Sequence, residues 1–227
     1  MRSRRCTLRT FVIAGIVAAI TLITGLVAAP AATACSLSSH CYGIADWDPS
    51  GTYTGGLAYI TETRISNLGS SDDFVTAELW VVDSAANLKW VEQGIISGRG
   101  GTARWFWADS CGLGSFSVHY PSLSISAGAT YATKISYNSG GKWAVYRDGN
   151  FVNNSSTCHG STADLMQAGT ESTHNSNVVS GTATTLQKRG SDNTTWSYNW
   201  GSAVISADSP VTASWITQYA SVQFSEN

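Results

Sequence analysis

Two glutamates in separate parts of the sequence have the chemistry that a hydrolase needs. Glu92 lies in the segment LKWVEQGII (88–96), and Glu171 lies in LMQAGTEST (165–173). A pair of carboxyl groups hydrolyses a bond when their surroundings keep one protonated as the acid and leave the other ionised as the base. The sequence therefore predicts a catalytic pair of Glu92 and Glu171, provided that the fold brings them together.

The strand pattern around Glu92 predicts a cleft beside it. Side chains alternate between the two faces of a strand, so Trp90 and Glu92 project together, away from the inner face that carries Gln93. A tryptophan next to a carboxylate on an open, curved sheet favours a cleft for an extended polymer. We therefore expect Trp90 to bind substrate next to the catalytic pair.

Further aromatic and amide side chains are candidates for the same cleft. Trp105 and Trp107 share a face of ARWFWAD (103–109) and are expected to extend the cleft, ordinary sheet packing being the alternative. Gln93 or Gln167 would hold the oxyanion that develops when water attacks a carbonyl group. These four residues complete the predicted substrate-binding set.

Other kinds of site have less support in the sequence. Glu78 in AELWVVD (77–83) shares a face with Trp80 and is a third candidate acid. No G-x-S-x-G nucleophile elbow is present. The histidines are isolated and lack metal-ligand spacing; they are His40, His119, His159 and His174. We expect neither a metal nor a cofactor.

The first 34 residues have the features of a secretory signal peptide. The segment MRSRRCTLRT (1–10) contains four arginines and no acidic residue, and an almost wholly apolar run follows it toward Ala32-Thr33-Ala34. This order predicts cleavage before Cys35 and a secreted, extracellular protein. A membrane anchor and export by the twin-arginine route are the alternatives.

The cysteines that follow the signal peptide indicate disulfides. Four of the five cysteines remain after cleavage, and an even number in an exported chain is typical of two disulfide bonds. Of the three connectivities, we favour Cys35 with Cys41 and Cys111 with Cys158. A zinc site is the alternative, but no CxxC or HxxxH spacing supports it.

Repeated alternation of apolar and polar residues predicts an all-β fold. Turn signals such as Asp148-Gly149 separate the alternating segments, and strands at this regular spacing favour an antiparallel two-sheet β-sandwich. Residues 35–55 are interpreted as an N-terminal arm and residues 56–227 as one β-sandwich domain. The predicted strands cover residues 56–66, 74–83, 88–96, 102–109, 130–137, 142–148, 163–173, 178–188, 194–200 and 214–224.

The run WVEQGIISGRGGTARWFWADSCG (90–112) resembles a segment of neprosin, in which a Glu-x-Gly strand precedes an aromatic strand, an aspartate and a cysteine. The neprosin-type and fungal glutamic peptidases share a concanavalin-like β-sandwich, with a Glu/Glu or Gln/Glu pair on the concave sheet. The resemblance implies that Glu92 is the first catalytic residue and Glu171 the second. Gln93 alternatively matches the catalytic glutamine of the fungal family, which would move the chemistry to the opposite face.

Two further resemblances keep other functions open. QAGTEST (167–173) is similar to the second catalytic strand of family-12 endoglucanases, with Glu78 as a loose match to their nucleophile. The W-x-E-x-G and Gly-x-Glu-Ser-Thr segments resemble secreted proteins of actinobacteria, which imply no particular reaction. The alternatives to a glutamic endopeptidase are therefore a carbohydrate-active or carbohydrate-binding sandwich and a non-catalytic secreted protein.

Charge and fold together restrict the expected partners. The net charge is −2, and the signal peptide carries four arginines and no acid, so the remaining chain is more acidic still. Such a chain is a poor ligand for nucleic acid or for anionic membranes. We expect a monomer that acts on an extended polymer, either polypeptide or polysaccharide, and that has no membrane association after signal cleavage.

Overall fold

Segments with alternating polarity become strands in the computed structural model, which describes residues 35–36, 39–48, 52–66, 69–70, 72–98 and 102–226. The predicted all-β, antiparallel two-sheet sandwich is confirmed. The proposed signal peptide lies outside the described residues. Within the described ranges, no helix has the length and hydrophobicity of a membrane span.

The first sheet has seven strands and carries the features that matter for function. Its order is β13-β1-β10-β3-β4-β5-β6, and all its neighbouring strands pair in antiparallel fashion. The strands are β1 (Cys41–Trp47), β3 (Phe74–Ser84), β4 (Lys89–Gly98), β5 (Arg104–Cys111), β6 (Phe116–His119), β10 (Leu165–Ser172) and β13 (Val204–Ala207).

The second sheet covers the inner face of the first. Its order is β14-β15-β11-β2-β7-β8-β9, with β12 paired to β11. A one-turn 3-10 helix, Ala85–Asn87, joins β3 to β4. The strands are β2 (Gly55–Ser66), β7 (Thr130–Ser139), β8 (Lys142–Arg147), β9 (Asn150–Asn154), β11 (Val178–Arg189), β12 (Trp196–Tyr198), β14 (Thr212–Thr217) and β15 (Ser221–Glu226).

The main core fills the space between the two sheets. Leu79 and Val91 of the first sheet face Ile60, Ile135 and Trp143 of the second, and all five side chains are buried. Burial of side chains of this size stabilises a fold by about 1.5–3 kcal/mol each. The inner faces of β3 and β4 are therefore fixed by the core, and the alternate residues of both strands must point outward.

Some strands of the structure were not predicted from the sequence, and two others were predicted as one. Residues 41–47, within the segment interpreted as an N-terminal arm, form β1 of the seven-stranded sheet. Strands β6 and β13 are four-residue strands at the two edges of that sheet, too short for alternation to identify. The segment predicted as one strand, 214–224, contains a turn at Tyr219, whose φ of 63° ends β14 and lets β15 begin.

Both favoured disulfides are confirmed. Cys35 is bonded to Cys41, with Cα atoms 5.2 Å apart, and Cys111 is bonded to Cys158, with Cα atoms 5.5 Å apart. The alternative of a zinc site that uses these cysteines is therefore wrong, because sulfurs joined to each other are not thiolate ligands.

A buried charged cluster lies beside the second disulfide. His159 Nδ1 is 2.7 Å from Asp83 Oδ1, and His159 Nε2 is 3.7 Å from Asp109 Oδ2. The same carboxylates accept the backbone N–H groups of Gly160 and Ser156, each at 2.6 Å. The cluster therefore fastens the loop before β10 to β3 and β5 of the seven-stranded sheet.

The two carboxylates determine the charge of the buried imidazole. Burial by itself works to lower the pKa of His159, but the hydrogen bond with Asp83 and the charges of Asp83 and Asp109 outweigh burial. The pKa of His159 is therefore raised above its ordinary value of 6.5. A raised pKa adds stability that is complete below pH 6.5 and is lost as the pH rises through the folded-state pKa.

Replacing His159 with asparagine is expected to destabilise the protein most in mildly acidic solution. Breaking a buried ion pair costs about 3–5 kcal/mol, and the charged imidazole contributes only below its raised pKa. Thermal unfolding of wild type and His159→Asn, compared at pH 5.5 and at pH 9, measures the effect. The control His174→Asn removes an imidazole that forms no ion pair among the described residues. A destabilisation equal at both pH values would contradict a charged His159.

Candidate active site

The outer face of the seven-stranded sheet bears a cleft of about 630 Å³. Its floor consists of outward-facing side chains of β1, β10, β3 and β4, and the two edge strands add one residue each. The cleft is lined by His40, Tyr42, Ile44, Asp46, Phe74, Trp80, Val82, Trp90, Glu92, Phe116, Gln167, Glu171 and Ser206. Aromatic rings surround acidic groups, a combination typical of binding sites for organic ligands.

Three glutamates from three adjacent strands meet at this face. Glu171 lies on β10, Glu78 on the central strand β3 and Glu92 on β4, and one carboxylate oxygen of each lies within 4.8 Å of the others. Glu92 and Glu171 line the cleft, whereas Glu78 has no exposed surface. The fold thus brings together the two glutamates that were paired from sequence and adds a third.

Glycines on both sides of Glu78 make this arrangement possible. Gly169 of β10 and Gly94 of β4 pair directly with Glu78. A Cβ atom at Gly94 would lie 2.1 Å from the Ala77 carbonyl oxygen, and one at Gly169 would lie 2.1 Å from the Gly43 carbonyl oxygen. Both positions therefore exclude any side chain, which leaves Glu78 without a side chain opposite it on either neighbouring strand.

The environment of Glu78 favours the neutral form of its carboxyl group. Burial is the largest cause, and the charges of Glu92 and Glu171 add to it, so the pKa of Glu78 is raised well above its ordinary value of 4.5. The Thr76 hydroxyl donates a hydrogen bond to Oε1, while Oε2 is buried and has no hydrogen-bond partner. A protonated carboxyl group suits this site, since a buried charge would need compensation that is absent.

Glu171 has two hydrogen-bonding neighbours from the segment that begins β1. The Tyr42 hydroxyl donates to Glu171 Oε1 at 3.1 Å, and His40 Nδ1 forms a short contact with the same oxygen. The His40 ring packs edge-on against Phe74, with ring centroids 5.7 Å apart. Because His40 precedes Cys41, the Cys35–Cys41 disulfide anchors the backbone that presents this imidazole.

Tyr42 remains a hydrogen-bond donor over the whole accessible pH range. Burial, together with the charge and the hydrogen bond of Glu171, raises the pKa of the Tyr42 hydroxyl far above its ordinary value of 10. A hydroxyl that keeps its proton donates continuously to the carboxylate beside it. Tyr42 therefore fixes the position of Glu171.

The two ends of the cleft differ in polarity. At the end toward β1, Gln167 Nε2 donates to Asp46 Oδ1 at 3.2 Å, and burial raises the pKa of Asp46. At the end toward β6, Trp90 and Phe116 are in ring contact, with centroids 5.2 Å apart. The carboxyl cluster lies between a polar end and an aromatic end.

The carboxyl cluster is also the group of described residues with the best composition for a hard cation. Oxygen ligands from Glu78, Glu92 and Glu171 suit Ca²⁺ or Mg²⁺, and their spacing would let one ion contact all three. The neutral form of Glu78 works against such binding, because a metal ligand must give up its proton.

The structure brings only part of the predicted substrate-binding set into the cleft. Trp90 and Gln167 line it, as expected. Trp105, Trp107 and Gln93 instead face the sandwich interior, with exposures of 0, 4 and 0 per cent. The prediction that these three residues bind substrate in the cleft is therefore wrong.

The pairing register explains this correction. Residues directly opposite each other in an antiparallel pair share a face, and Trp107 is opposite Gln93 while Trp105 is opposite Ile95. Gln93 Nε2 donates to the carbonyl oxygens of Lys134 and Tyr146 at 2.8 and 3.1 Å. This glutamine therefore joins the two sheets and has no access to a substrate in the cleft.

Sequence reasoning underestimated three residues of the site. The sequence shows His40 as an isolated histidine, places Tyr42 in no motif and makes Glu78 only a third candidate acid. His40 and Glu171 are 131 residues apart in the chain, so no local spacing links them. A signal did exist for Glu78, because its outward position on β3 follows from its alternation with the apolar residues Ala77 and Leu79.

Comparison with known proteins identifies the fold. The sequence matches no protein-family model, and no curated protein matches it in a sequence search. Scytalido-glutamic peptidase with a transition-state analogue inhibitor superposes with a TM-score of 0.62 and 12% identity, over 82% of this chain and 98% of that one. SCP-B, a member of the Eqolisin family of peptidases in complex with the tripeptide Ala-Ile-His, superposes with a TM-score of 0.57 and 11% identity. That alignment covers 86% of this chain and 100% of SCP-B. The chain thus shares the concanavalin-like fold of these peptidases.

Replacing Glu78 with glutamine is expected to stabilise the protein above acidic pH. The raised pKa of Glu78 means that wild type loses stability as the pH rises from 4.5 toward that pKa, whereas a neutral amide does not titrate. We expect wild type and variant to have equal melting temperatures at pH 4. At pH 8 the variant should melt about 2–4 °C higher or more, since about 1 kcal/mol produces a shift of this size in a domain of this length. The control Asp72→Asn changes an exposed carboxylate. A Glu78→Gln variant that is less stable at pH 8 would contradict a neutral Glu78.

Proposed function

We propose that this protein is a secreted hydrolase of the glutamic-peptidase type, with Glu92 and Glu171 as its acid/base pair. The observation that carries the proposal is the position of both carboxyl groups on the floor of one cleft, with oxygens within 4.8 Å of each other. The shared fold with scytalido-glutamic peptidase and an Eqolisin-family peptidase supports an amide as the bond cleaved. Kinship with neprosin-type enzymes is part of this proposal.

The hydrogen bonds assign the two roles. We assign the base to Glu171 because the Tyr42 hydroxyl donates to its carboxyl oxygen and the His40 ring contacts the same oxygen, which holds it in a fixed position. Glu171 is therefore the base that takes a proton from water as the water oxygen bonds to the amide carbon. Glu92 is the acid that gives its proton to the amide nitrogen as the carbon–nitrogen bond breaks.

Glu78 supports this cycle from below the pair. After one turnover Glu171 holds the proton and Glu92 has lost one, so the pair must be reset. The neutral Glu78 carboxyl group lies within 4.8 Å of both and has an oxygen without a hydrogen-bond partner. It limits the negative charge of the cluster and provides a route for the returning proton. Gln167, at the polar end of the cleft, is positioned to hold the carbonyl oxygen of the substrate.

A retaining glycosidase is the second candidate, because carboxyl oxygens within 4.8 Å of each other favour the shorter of the two separations that glycosidases use. Retaining glycosidases use carboxyl groups about 5–5.5 Å apart, whereas inverting ones need about 6.5–9.5 Å. The observed spacing disfavours the inverting geometry. The burial of Trp105 and Trp107 removes two of the three aromatic platforms expected for sugar rings, which makes the peptide the better-supported substrate.

The proposal includes an extracellular location and a polymer substrate. The two disulfides fit an oxidising compartment. The cleft is open along one sheet face and extends past the carboxyl cluster at both ends, as an extended chain requires. We propose that the protein acts as a monomer.

Loss of either cleft glutamate is expected to remove most of the activity. Removing a general acid or base lowers the rate by about 10²–10⁴-fold, so Glu92→Gln and Glu171→Gln should show this loss in kcat/KM on denatured protein across the acid pH range. Glu62→Gln is the matched control, since Glu62 is a buried glutamate of the opposite sheet and lies outside the cleft. Equal inertness of wild type and both variants would overturn the peptidase proposal. Hydrolysis of polysaccharide with retained anomeric configuration would favour the second candidate.

Loss of the Tyr42 hydroxyl is expected to weaken but not abolish catalysis. A hydrogen bond to a charged group contributes about 1.5–3 kcal/mol, so Tyr42→Phe should lower kcat by at least about tenfold while the ring contact with Trp80 is retained. Steady-state kinetics separates this fall in kcat from any change in KM. Tyr59→Phe, at an exposed tyrosine of β2, is the control. Unchanged kcat in Tyr42→Phe would remove Tyr42 from the mechanism.

A further inference from the structure

The aromatic end of the cleft exposes apolar surface that the carboxyl chemistry does not use. Phe116, on the edge strand β6, is 45% exposed although its ring contacts Trp90 at 5.2 Å. Val82 pairs directly with Trp90 and lines the same end of the cleft. These three side chains form an apolar wall, and none of them carries a charge. An apolar patch that is continuous with a cleft typically marks a ligand-binding surface.

The wall lies at a suitable distance from the proposed reaction centre. Trp90 and Glu92 are two residues apart on β4 and share a face, which separates them by about 7 Å along the strand. An extended peptide has nearly the same spacing between every second residue, so a side chain about two residues from the scissile amide would reach Trp90 while Glu92 contacts the amide. The opposite end of the cleft, at Asp46 and Gln167, is polar and does not offer an equivalent surface.

We propose that Val82, Trp90 and Phe116 form a specificity subsite for a bulky apolar side chain, aromatic or large aliphatic, on one side of the bond to be cleaved. This inference rests on the proposed function for the identity of the substrate as a peptide. The physical reason is that an apolar side chain would cover the exposed Phe116 ring and remove both surfaces from water. A small polar or acidic side chain would gain nothing there and would lie close to the carboxyl cluster.

Phe116 allows a test with little risk to folding, and the chain supplies a matched control. Phe151 is also an exposed phenylalanine, 56% exposed, on β9, the edge strand of the other sheet, and its ring contacts Tyr146 at 5.8 Å. Phe116→Ala and Phe151→Ala therefore remove the same ring from similar edge positions. Only Phe116 belongs to the cleft.

The probes are two acetylated and amidated hexapeptides that differ only at one central position, phenylalanine or serine. Their affinities are measured by calorimetry on the full chain carrying Glu171→Gln, which prevents turnover, and their kcat/KM values are measured on the chain without that change. We expect at least about tenfold preference for the phenylalanine peptide, since burying such a ring contributes about 1.5–3 kcal/mol. Phe116→Ala should abolish the preference, and Phe151→Ala should retain it.

The outcomes separate this inference from the proposed function. Cleavage with equal affinity for both peptides, or a preference that survives Phe116→Ala in a protein of unchanged melting temperature, would overturn the subsite and leave the peptidase intact. Selective binding that depends on Phe116 without any cleavage would support the subsite and overturn the peptidase. Neither binding nor cleavage of either peptide would overturn both.

Discussion

Electrostatic repulsion among three neighbouring carboxyl groups is the constraint that shapes this molecule. Two full charges 4 Å apart near a protein surface repel by about 4 kcal/mol, and Glu78, Glu92 and Glu171 have oxygens within 4.8 Å of one another. The cluster is tolerated only if it retains protons and if hydrogen-bond donors reach its carboxyl oxygens. The hydroxyls of Thr76 and Tyr42 supply such donors, Thr76 to Glu78 and Tyr42 to Glu171.

The apolar parts of the structure hold this unfavourable cluster in place. The inner residues of β3 and β4 belong to the core between the sheets, so the outer residues of both strands have no freedom to rotate away. At the far end of the same sheet, the Cys111–Cys158 disulfide and the buried pairing of His159 with Asp83 fasten the connection into β10. Rigid strands and a fastened loop hold the carboxyl groups at a fixed separation, as the proposed catalysis requires.

The sequence predicted those features that depend on local periodicity. Alternation identified the two-sheet sandwich and the outward face of β4, because Val91 and Ile95 are apolar and their neighbour Glu92 is not. The same reasoning failed for Trp105 and Trp107, since both faces of β5 are apolar and only the register with β4 distinguishes them. The role of His40 could not be predicted for a related reason. Its contact with Glu171 depends on the pairing of β1 with β10, which no short sequence pattern indicates.

The cleft and the buried cluster near the disulfide use titratable groups in opposite ways. The two carboxylates around His159 raise its pKa and so favour its charged form. Burial and the like charges of Glu92 and Glu171 raise the pKa of Glu78 and so favour its neutral form. The first arrangement stabilises the fold, whereas the second leaves a carboxyl group with a raised pKa next to the cleft, where the proposed chemistry would take place.

The glycines opposite Glu78 set the spacing of the strands around the carboxyl cluster, whereas the side chains of the cluster set its charge. Gly94 and Gly169 are required because any side chain at either position would collide with the backbone of a neighbouring strand. The spacing of β1, β10, β3 and β4 at these positions therefore depends on the glycines and not on the polar side chains of the cleft floor. Amide and acid side chains of equal size are thus interchangeable at position 92 or 171 without rearrangement of the sheet. Such a substitution would change the charge of the cleft floor while the strands on either side of Glu78 keep their spacing.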